Sequence, residues 1–248
     1  MARGLEEWLA PREDGRPLRL GVLGGTFDPI HIGHLVAAEA ARTGFGLDRV
    51  LFVPAGQPPH KDPSAVAAAE HRYRMTVLAT AGNPYFYTTR LELDRSGPSY
   101  TIDTVRQLAA MARPASLFFI AGADAVVTLP SWRGGTSLLD ECELIAVTRP
   151  GFSRQALDDF LRALPPARRR RVHLLPIPGI DISSTELRER VANGQSIRYL
   201  VPPSVEDYVY KYGLYGARNA RGGSAGNGGT AGGGGGIRST GGVPGETA

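Results

Sequence analysis

Two runs of this 248-residue chain, Leu117 to Ala121 and Leu144 to Val147, contain no polar residue and are bounded by Ser116, Gly122, Glu143 and Thr148. Runs this short are of strand length. A strand that is apolar at every position is buried on both faces, as happens when helices cover a parallel sheet from two sides. Other short runs lie at Leu18 to Leu23, Val50 to Val53, Phe86 to Thr89 and Val172 to Leu175. They alternate with helical periodicity at Gly33 to Thr43, Ala69 to Ala81, Ile102 to Met111, Arg154 to Ala163, Thr185 to Ala192 and Ser204 to Tyr212. Such alternation over roughly 200 residues predicts a doubly wound α/β domain.

The ends are of different material. Residues 1–17 carry charges of both signs, two prolines and no sustained periodicity, and read as a loosely ordered extension before a domain spanning 18–215. Residues 216–248 hold fourteen glycines and no aromatic, so they cannot bury enough apolar area to offset chain entropy and are expected to be disordered. Half of the formal net charge of +4 falls in that tail, which leaves the rest without the basic field of a nucleic-acid-binding protein. Cys142 is the single cysteine, excluding a disulfide framework and a thiolate metal site. No apolar run approaches a membrane span, and Glu6, Glu7, Glu13 and Asp14 stand where a secretory signal would be basic and then apolar. With 42% apolar and 21% charged residues, the chain is expected to be a cytoplasmic enzyme or binding protein, with neither nucleic acid nor membrane as partner. Whether it forms homo-oligomers is left open.

The first strand runs into Gly24-Gly25-Thr26-Phe27-Asp28-Pro29-Ile30-His31-Ile32-Gly33-His34 and then into a helix. A strand, a glycine turn and a helix N-terminus form the usual phosphate cradle of α/β proteins, with backbone N–H groups and the helix dipole facing the anion. No Gly-Lys-Ser/Thr closes the loop as in a P-loop, and the G-x-G-x-x-G dinucleotide pattern is absent. His31 and His34, three residues apart, can face one ligand and donate to phosphate oxygens. A zinc site is the competing reading of His-x-x-His, but only Asp28 lies near enough in sequence to be a third ligand. Further on, Ile182-Ser183-Ser184-Thr185-Glu186-Leu187-Arg188 has the form of a capping box opening a helix.

The eleven-residue string resembles the signature of the nucleotidylyltransferase superfamily with the HxGH motif, and specifically that of bacterial nicotinate-nucleotide adenylyltransferases. Ile182 to Arg188 resembles the superfamily's second signature, I-S-S-T-x-x-R, and the two occur in the family's order and separation. Lys61, in Pro58-Pro59-His60-Lys61, matches a basic residue that the family places near the phosphates. Ser99-Tyr100-Thr101-Ile102-Asp103-Thr104 resembles a segment implied to meet the nicotinate ring and its carboxylate. Gly122-Ala123-Asp124 matches the family's aspartate for ribose contacts, and Trp132 its stacking tryptophan. Read without the family, Asp124 could simply cap a helix and Trp132 could belong to the core. The resemblance covers about Leu18 to Tyr215.

The implied fold is a Rossmann-like doubly wound parallel sheet with a small C-terminal helical portion. In such a sheet the crevice opens where strand order reverses, between the strands ending at Gly24-Gly25-Thr26 and Gly122-Ala123-Asp124. The implied reaction is adenylyl transfer from ATP to nicotinate mononucleotide, giving deamido-NAD and pyrophosphate. His31, His34, Thr26, Lys61 and Arg188 are the expected catalytic residues. Gly24, Gly25, Thr26, Phe27, His31, His34, Gly122, Asp124, Ile182, Ser183, Ser184 and Arg188 are expected to bind ATP. Lys61, Tyr100, Thr101, Asp124 and Trp132 are expected to bind nicotinate mononucleotide. Mg²⁺ would arrive with ATP, with no tightly bound cofactor and no metal site of the protein's own. No lysine or arginine lies within Ser99 to Ile102, so the carboxylate should be met by backbone N–H dipoles rather than by a charge. The alternatives are another member of the superfamily, such as a phosphopantetheine adenylyltransferase, and a catalytically silent nucleotide-binding module.

Overall fold

In the computed structural model, residues 4–148 and 154–217 are described. Their strands are β1 (Leu18–Gly25), β2 (Arg49–Pro54), β3 (Phe86–Thr88), β4 (Ala115–Gly122), β5 (Glu143–Thr148) and β6 (Val172–Pro176). The helices are α1 (Leu5–Trp8), α2 (Ile32–Gly44), α3 (Ala69–Thr80), α4 (Thr101–Met111), α5 (Ala123–Val126), α6 (Leu138–Glu141), α7 (Arg154–Ala163), α8 (Pro166–Arg169), α9 (Ser184–Ala192) and α10 (Pro203–Lys211). All six strands pair in parallel in the order β3-β2-β1-β4-β5-β6. The order therefore reverses between β1 and β4, where the crevice of a doubly wound sheet forms.

The fully apolar strands are explained by two cores, one on each face. Leu20, Val22, Leu51, Leu117, Phe119, Leu144 and Ala146 pack on one side with Val105 and Leu108 of α4 and Leu157 and Phe160 of α7. Their sequence neighbours Val50, Phe52, Phe118, Ile120, Ile145 and Val147 pack on the other with Ala38 and Ala41 of α2, Met75 of α3, Leu187 of α9 and Val205 of α10. This is the period-two alternation of a pleated strand, with both faces buried. The C-terminal helical portion is α9 and α10, which follow β6.

Two expectations change. The front segment is not loose: α1 places Trp8 (8% exposed) and Leu9 (3%) in the α4-side core. The Arg49 guanidinium lies 5.5 Å above the Trp8 ring and donates to the Trp8 carbonyl, and Arg12 pairs with Asp48. The structured chain also runs slightly past 215, since Leu214–Gly216 forms a 3₁₀ turn closed by Ala217 N–H to Leu214 C=O at 3.0 Å. The tail expected to be disordered lies, from 218 on, outside the described residues. Among the described residues no helix is long and apolar enough to cross a membrane.

Because Trp8 fills the edge of a core rather than solvent, Trp8→Ala should destabilise the fold by about 3 kcal/mol, the low end of such truncations. Urea unfolding measures this, and an unchanged midpoint would return the segment to the status of a loose extension.

Candidate active site

The chain leaves β1 at Gly25 and turns back on itself. Phe27 has φ 50 and is 2% exposed, with its ring 6.0 Å from that of Phe52 and edge-on to His34 at 5.1 Å. A Cβ at Gly25 would lie 2.9 Å from Phe27 Cε1, so the fold needs glycine there. The Phe27 side chain is therefore a support beneath the loop, and its expected contact with ATP does not follow.

His31 is the N-cap of α2, with extended φ −143 and ψ 171. Its N–H donates to Nδ1 of His34 at 3.2 Å, and the two imidazole centroids are 3.7 Å apart. A ring nitrogen that accepts carries no proton, so the His34 proton sits on Nε2, which becomes the donor. The helix start is less bare than the sequence suggested: the Ile32 N–H donates to Leu200 C=O and the His34 N–H to His31 C=O. Three of the four backbone donors from His31 to His34 are thus engaged within the protein.

Beneath the loop is a buried ionic network. Asp28 is 1% exposed; its Oδ1 accepts the Tyr215 hydroxyl at 2.8 Å and the Ala67 N–H at 3.4 Å. Burial, with the Asp28 charge adding to it, pushes the Tyr215 phenol far above its ordinary value, so it remains a donor. Arg188 Nη1 donates to Asp28 C=O at 2.8 Å and lies 3.7 Å from Asp28 Oδ2, while Ser184 Oγ donates to Pro29 C=O at 2.9 Å. The start of α9 is in this way fastened to the loop after β1. Arg72, also 1% exposed, donates to the carbonyls of Thr26 (2.8 Å), Gly56 (3.1 Å) and Ala67 (2.9 Å). One guanidinium ties together the loops after β1 and β2 and the entry to α3.

Two clefts open above this floor and share Gly24, Phe119 and Trp132. The larger, about 350 Å³, is lined by His31, His34, Gly122, Asp124 and Ile182 to Ser184. The smaller, about 220 Å³, is lined by Gly25, Thr26, Lys61, Tyr100, Thr101 and Arg133. Trp132 stands edge-on to Phe119 with centroids 6.4 Å apart, and its Nε1 donates to Thr128 Oγ1 at 3.0 Å. Burial and the nearby Arg188 and Arg72 charges lower the Lys61 pKa, with Asp28 opposing them.

Most predicted positions are brought to these two clefts; besides Phe27, which lines neither, there are four differences. Asp124 lines the larger cleft alone, not both. Gly25 and Thr26 line the smaller one. Arg188 lines neither, being turned onto Asp28 and onto Thr185 Oγ1 at 3.2 Å. The smaller cleft also has a cation beside its ring wall, Arg133, whose guanidinium lies 4.5 Å from the Tyr100 centroid. A charge therefore stands beside the backbone N–H groups at the start of α4, where the sequence had offered dipoles alone. Sequence reasoning also missed Phe119, Glu92 and Arg72. Glu92 is buried, accepts Thr104 Oγ1 at 2.5 Å, and has its pKa raised by that burial. Among the described residues no three His, Cys, Asp or Glu side chains converge to hold a metal ion.

A switch-point crevice with paired histidines and a fastened second motif defines a nucleotidyl-transfer fold, and the model of the Cytidylyltransferase-like family matches residues 22–190. A probable nicotinate-nucleotide adenylyltransferase of Moorella thermoacetica is 52% identical over 204 residues, covering 82% of this chain and 94% of that one. A counterpart from Thermus thermophilus is 48% identical over 198 residues, covering 80% and 100%. The chain belongs to the nicotinate-nucleotide adenylyltransferase family. In fold it is similar to Plasmodium falciparum nicotinic acid mononucleotide adenylyltransferase complexed with NaAD (TM-score 0.68, 22% identity, 81% of this chain and 98% of that one).

If the Asp28 network holds the loop, removing one donor should be felt. Tyr215→Phe leaves a buried carboxylate oxygen short of a partner and should cost about 1–3 kcal/mol in urea unfolding. Unchanged stability would show that the Tyr215 contact carries no weight.

Proposed function

We propose that this chain transfers the adenylyl group of ATP to nicotinate mononucleotide, with ATP in the larger cleft and the mononucleotide in the smaller. The observation that carries this reading is the meeting of the two clefts at Gly24, the penultimate residue of β1, which has no side chain to fill the space. Two phosphorylated ligands entering from either side can bring their phosphates together there. A Cβ on Gly24 would lie 3.4 Å from the Phe119 ring and would narrow the junction.

A phosphate oxygen of the mononucleotide attacks the α-phosphorus of ATP, the bond from that phosphorus to the bridging oxygen breaks, and pyrophosphate leaves with the electron pair. A phosphomonoester with a second pKa of about 6 is mostly dianionic at neutral pH, so no general base is needed. The protein has to hold two polyanions in line and stabilise charge on the transferring and leaving groups. His34 Nε2–H and the adjoining His31 serve the triphosphate, and Lys61 serves the junction from the opposite cleft. Arg188 acts by fixing Asp28 and the loop, with its charge next to the phosphates. Ser183 and Ser184 present the start of α9. Trp132, Phe119 and Tyr100 supply apolar ring faces for the pyridine, and Asp124 lies where a ribose hydroxyl of ATP can donate to it.

Magnesium suits this arrangement as a companion of the substrate, since a divalent ion can be coordinated by phosphate and water oxygens with few protein ligands. Bound that way, it would neutralise charge on the triphosphate as pyrophosphate forms.

The test is pyrophosphate release with ATP and, separately, nicotinate mononucleotide, nicotinamide mononucleotide and phosphopantetheine. Release with nicotinate mononucleotide is expected. Release with phosphopantetheine alone would move the chain elsewhere in the superfamily, and no release with any acceptor would make it a silent binding module. His34→Ala should lower kcat by roughly 100-fold or more, as loss of one preorganised donor does, while the protein still folds cooperatively with a midpoint lowered by the loss of the acceptor for the His31 N–H. Normal turnover in that variant would remove His34 from the mechanism.

A further inference from the structure

Of the side chains lining the smaller cleft, Lys61 and Arg133 are the two permanent cations, and they stand in different neighbourhoods. Lys61 shares the electrostatic surroundings of Asp28, Arg72 and Arg188, at the loop that receives phosphates. Arg133 belongs to the ring wall: its guanidinium lies over the Tyr100 ring, and it follows Trp132 directly in the chain. Nicotinate mononucleotide is likewise anionic at two separate places, the phosphate and the ring carboxylate.

The placement of Arg133 is built into the backbone. Gly135 N–H donates to Trp132 C=O at 2.8 Å, closing a turn of Trp132, Arg133, Gly134 and Gly135. Gly134 has φ 83 and ψ −17, as the third position of a type II turn requires. A Cβ on Gly134 would come within 3.1 Å of Ile102, so the turn packs closely on the first residues of α4, next to Tyr100. Among the described residues no carboxylate lies within ion-pair distance of Arg133. The acid that lines this cleft, Glu92, is buried, bound by Thr104 and 3.8 Å from Arg95.

We propose that Arg133 is a specificity-determining residue whose guanidinium takes the ring carboxylate of the acceptor nucleotide, selecting nicotinate over nicotinamide. This rests on the adenylyl-transfer reading above. Lying over the Tyr100 ring engages the guanidinium charge without using its N–H donors in a hydrogen bond, and those donors match a carboxylate in pairs. A neutral amide offers one acceptor and turns an NH₂ towards those donors, leaving polar groups unpaired.

The experiment is kcat/KM for nicotinate and nicotinamide mononucleotides, at saturating ATP, in the wild type, Arg133→Ala and Arg133→Lys. Arg133→Ala should lose on the order of tenfold to a hundredfold with nicotinate mononucleotide and change little with nicotinamide mononucleotide, so that the preference collapses. Arg133→Lys should fall between, because it keeps the charge without the fork. Equal losses with both substrates would place Arg133 on the phosphate or ribose and overturn the proposal. An unchanged ratio would overturn it too, leaving selectivity to the backbone donors at the start of α4. A wild type that turns over neither mononucleotide would instead bring down the adenylyl-transfer reading, and the proposal with it.

Discussion

Asp28 and Arg72 are opposite charges, each about 1% exposed, and the site depends on their being held in place. A buried charge is tolerated only when its hydrogen-bonding capacity is met, and breaking such a group is far costlier than never having built it. Arg72 meets the requirement with three backbone carbonyls; Asp28 meets it at Oδ1, with Tyr215 and Ala67, while Oδ2 has no hydrogen bond and is balanced by the Arg188 charge 3.7 Å away. The partners come from five separate stretches of chain. Satisfying these two residues therefore brings the loop after β1, the loop after β2, the entry to α3, the start of α9 and the 3₁₀ turn after α10 to one place.

That geometry gives the two clefts their division of labour. Above the network Gly24 lies at the junction, with the histidine pair from the loop after β1 to one side and Lys61, from the loop after β2, to the other. The His31 N–H to His34 Nδ1 bond decides which imidazole nitrogen is the donor, so the capping of α2 and the chemistry of the loop are one interaction. Farther out, Phe119, Trp132 and Tyr100 wall the space with rings, and Arg133 adds charge where the sequence had suggested dipoles alone.

Much of this was legible in the sequence because it rests on local patterns. β4 and β5 are apolar at nearly every position since both faces are buried, and the glycine-histidine string and Ile182 to Arg188 carry their chemistry in residue type and spacing. The rest depends on partners that side-chain identity does not disclose. Arg72 sits in a helix of mixed polarity, and its acceptors are main-chain carbonyls distant in sequence. α1 has one turn, too short for periodicity, so the burial of Trp8 left no pattern. Phe27 belongs to the motif but turns inwards, because the positive φ that aims the loop at the cleft sends its side chain to the core. Arg133 had a readable signal, the Trp-Arg-Gly-Gly turn, but its nearness to Tyr100 is a product of tertiary packing.

The central claim is that two clefts meeting at Gly24, over a prebuilt floor, receive the two nucleotides. The most direct measurement is a crystal structure with a nonhydrolysable ATP analogue and nicotinate mononucleotide bound together. The account predicts the triphosphate against His31 and His34, the pyridine beside Trp132 and Tyr100, the α-phosphorus at Gly24, and the contacts of Asp28 and Arg72 unchanged. A triphosphate bound away from the histidine pair, or an Arg72 that releases the Thr26 carbonyl when the ligands enter, would contradict it.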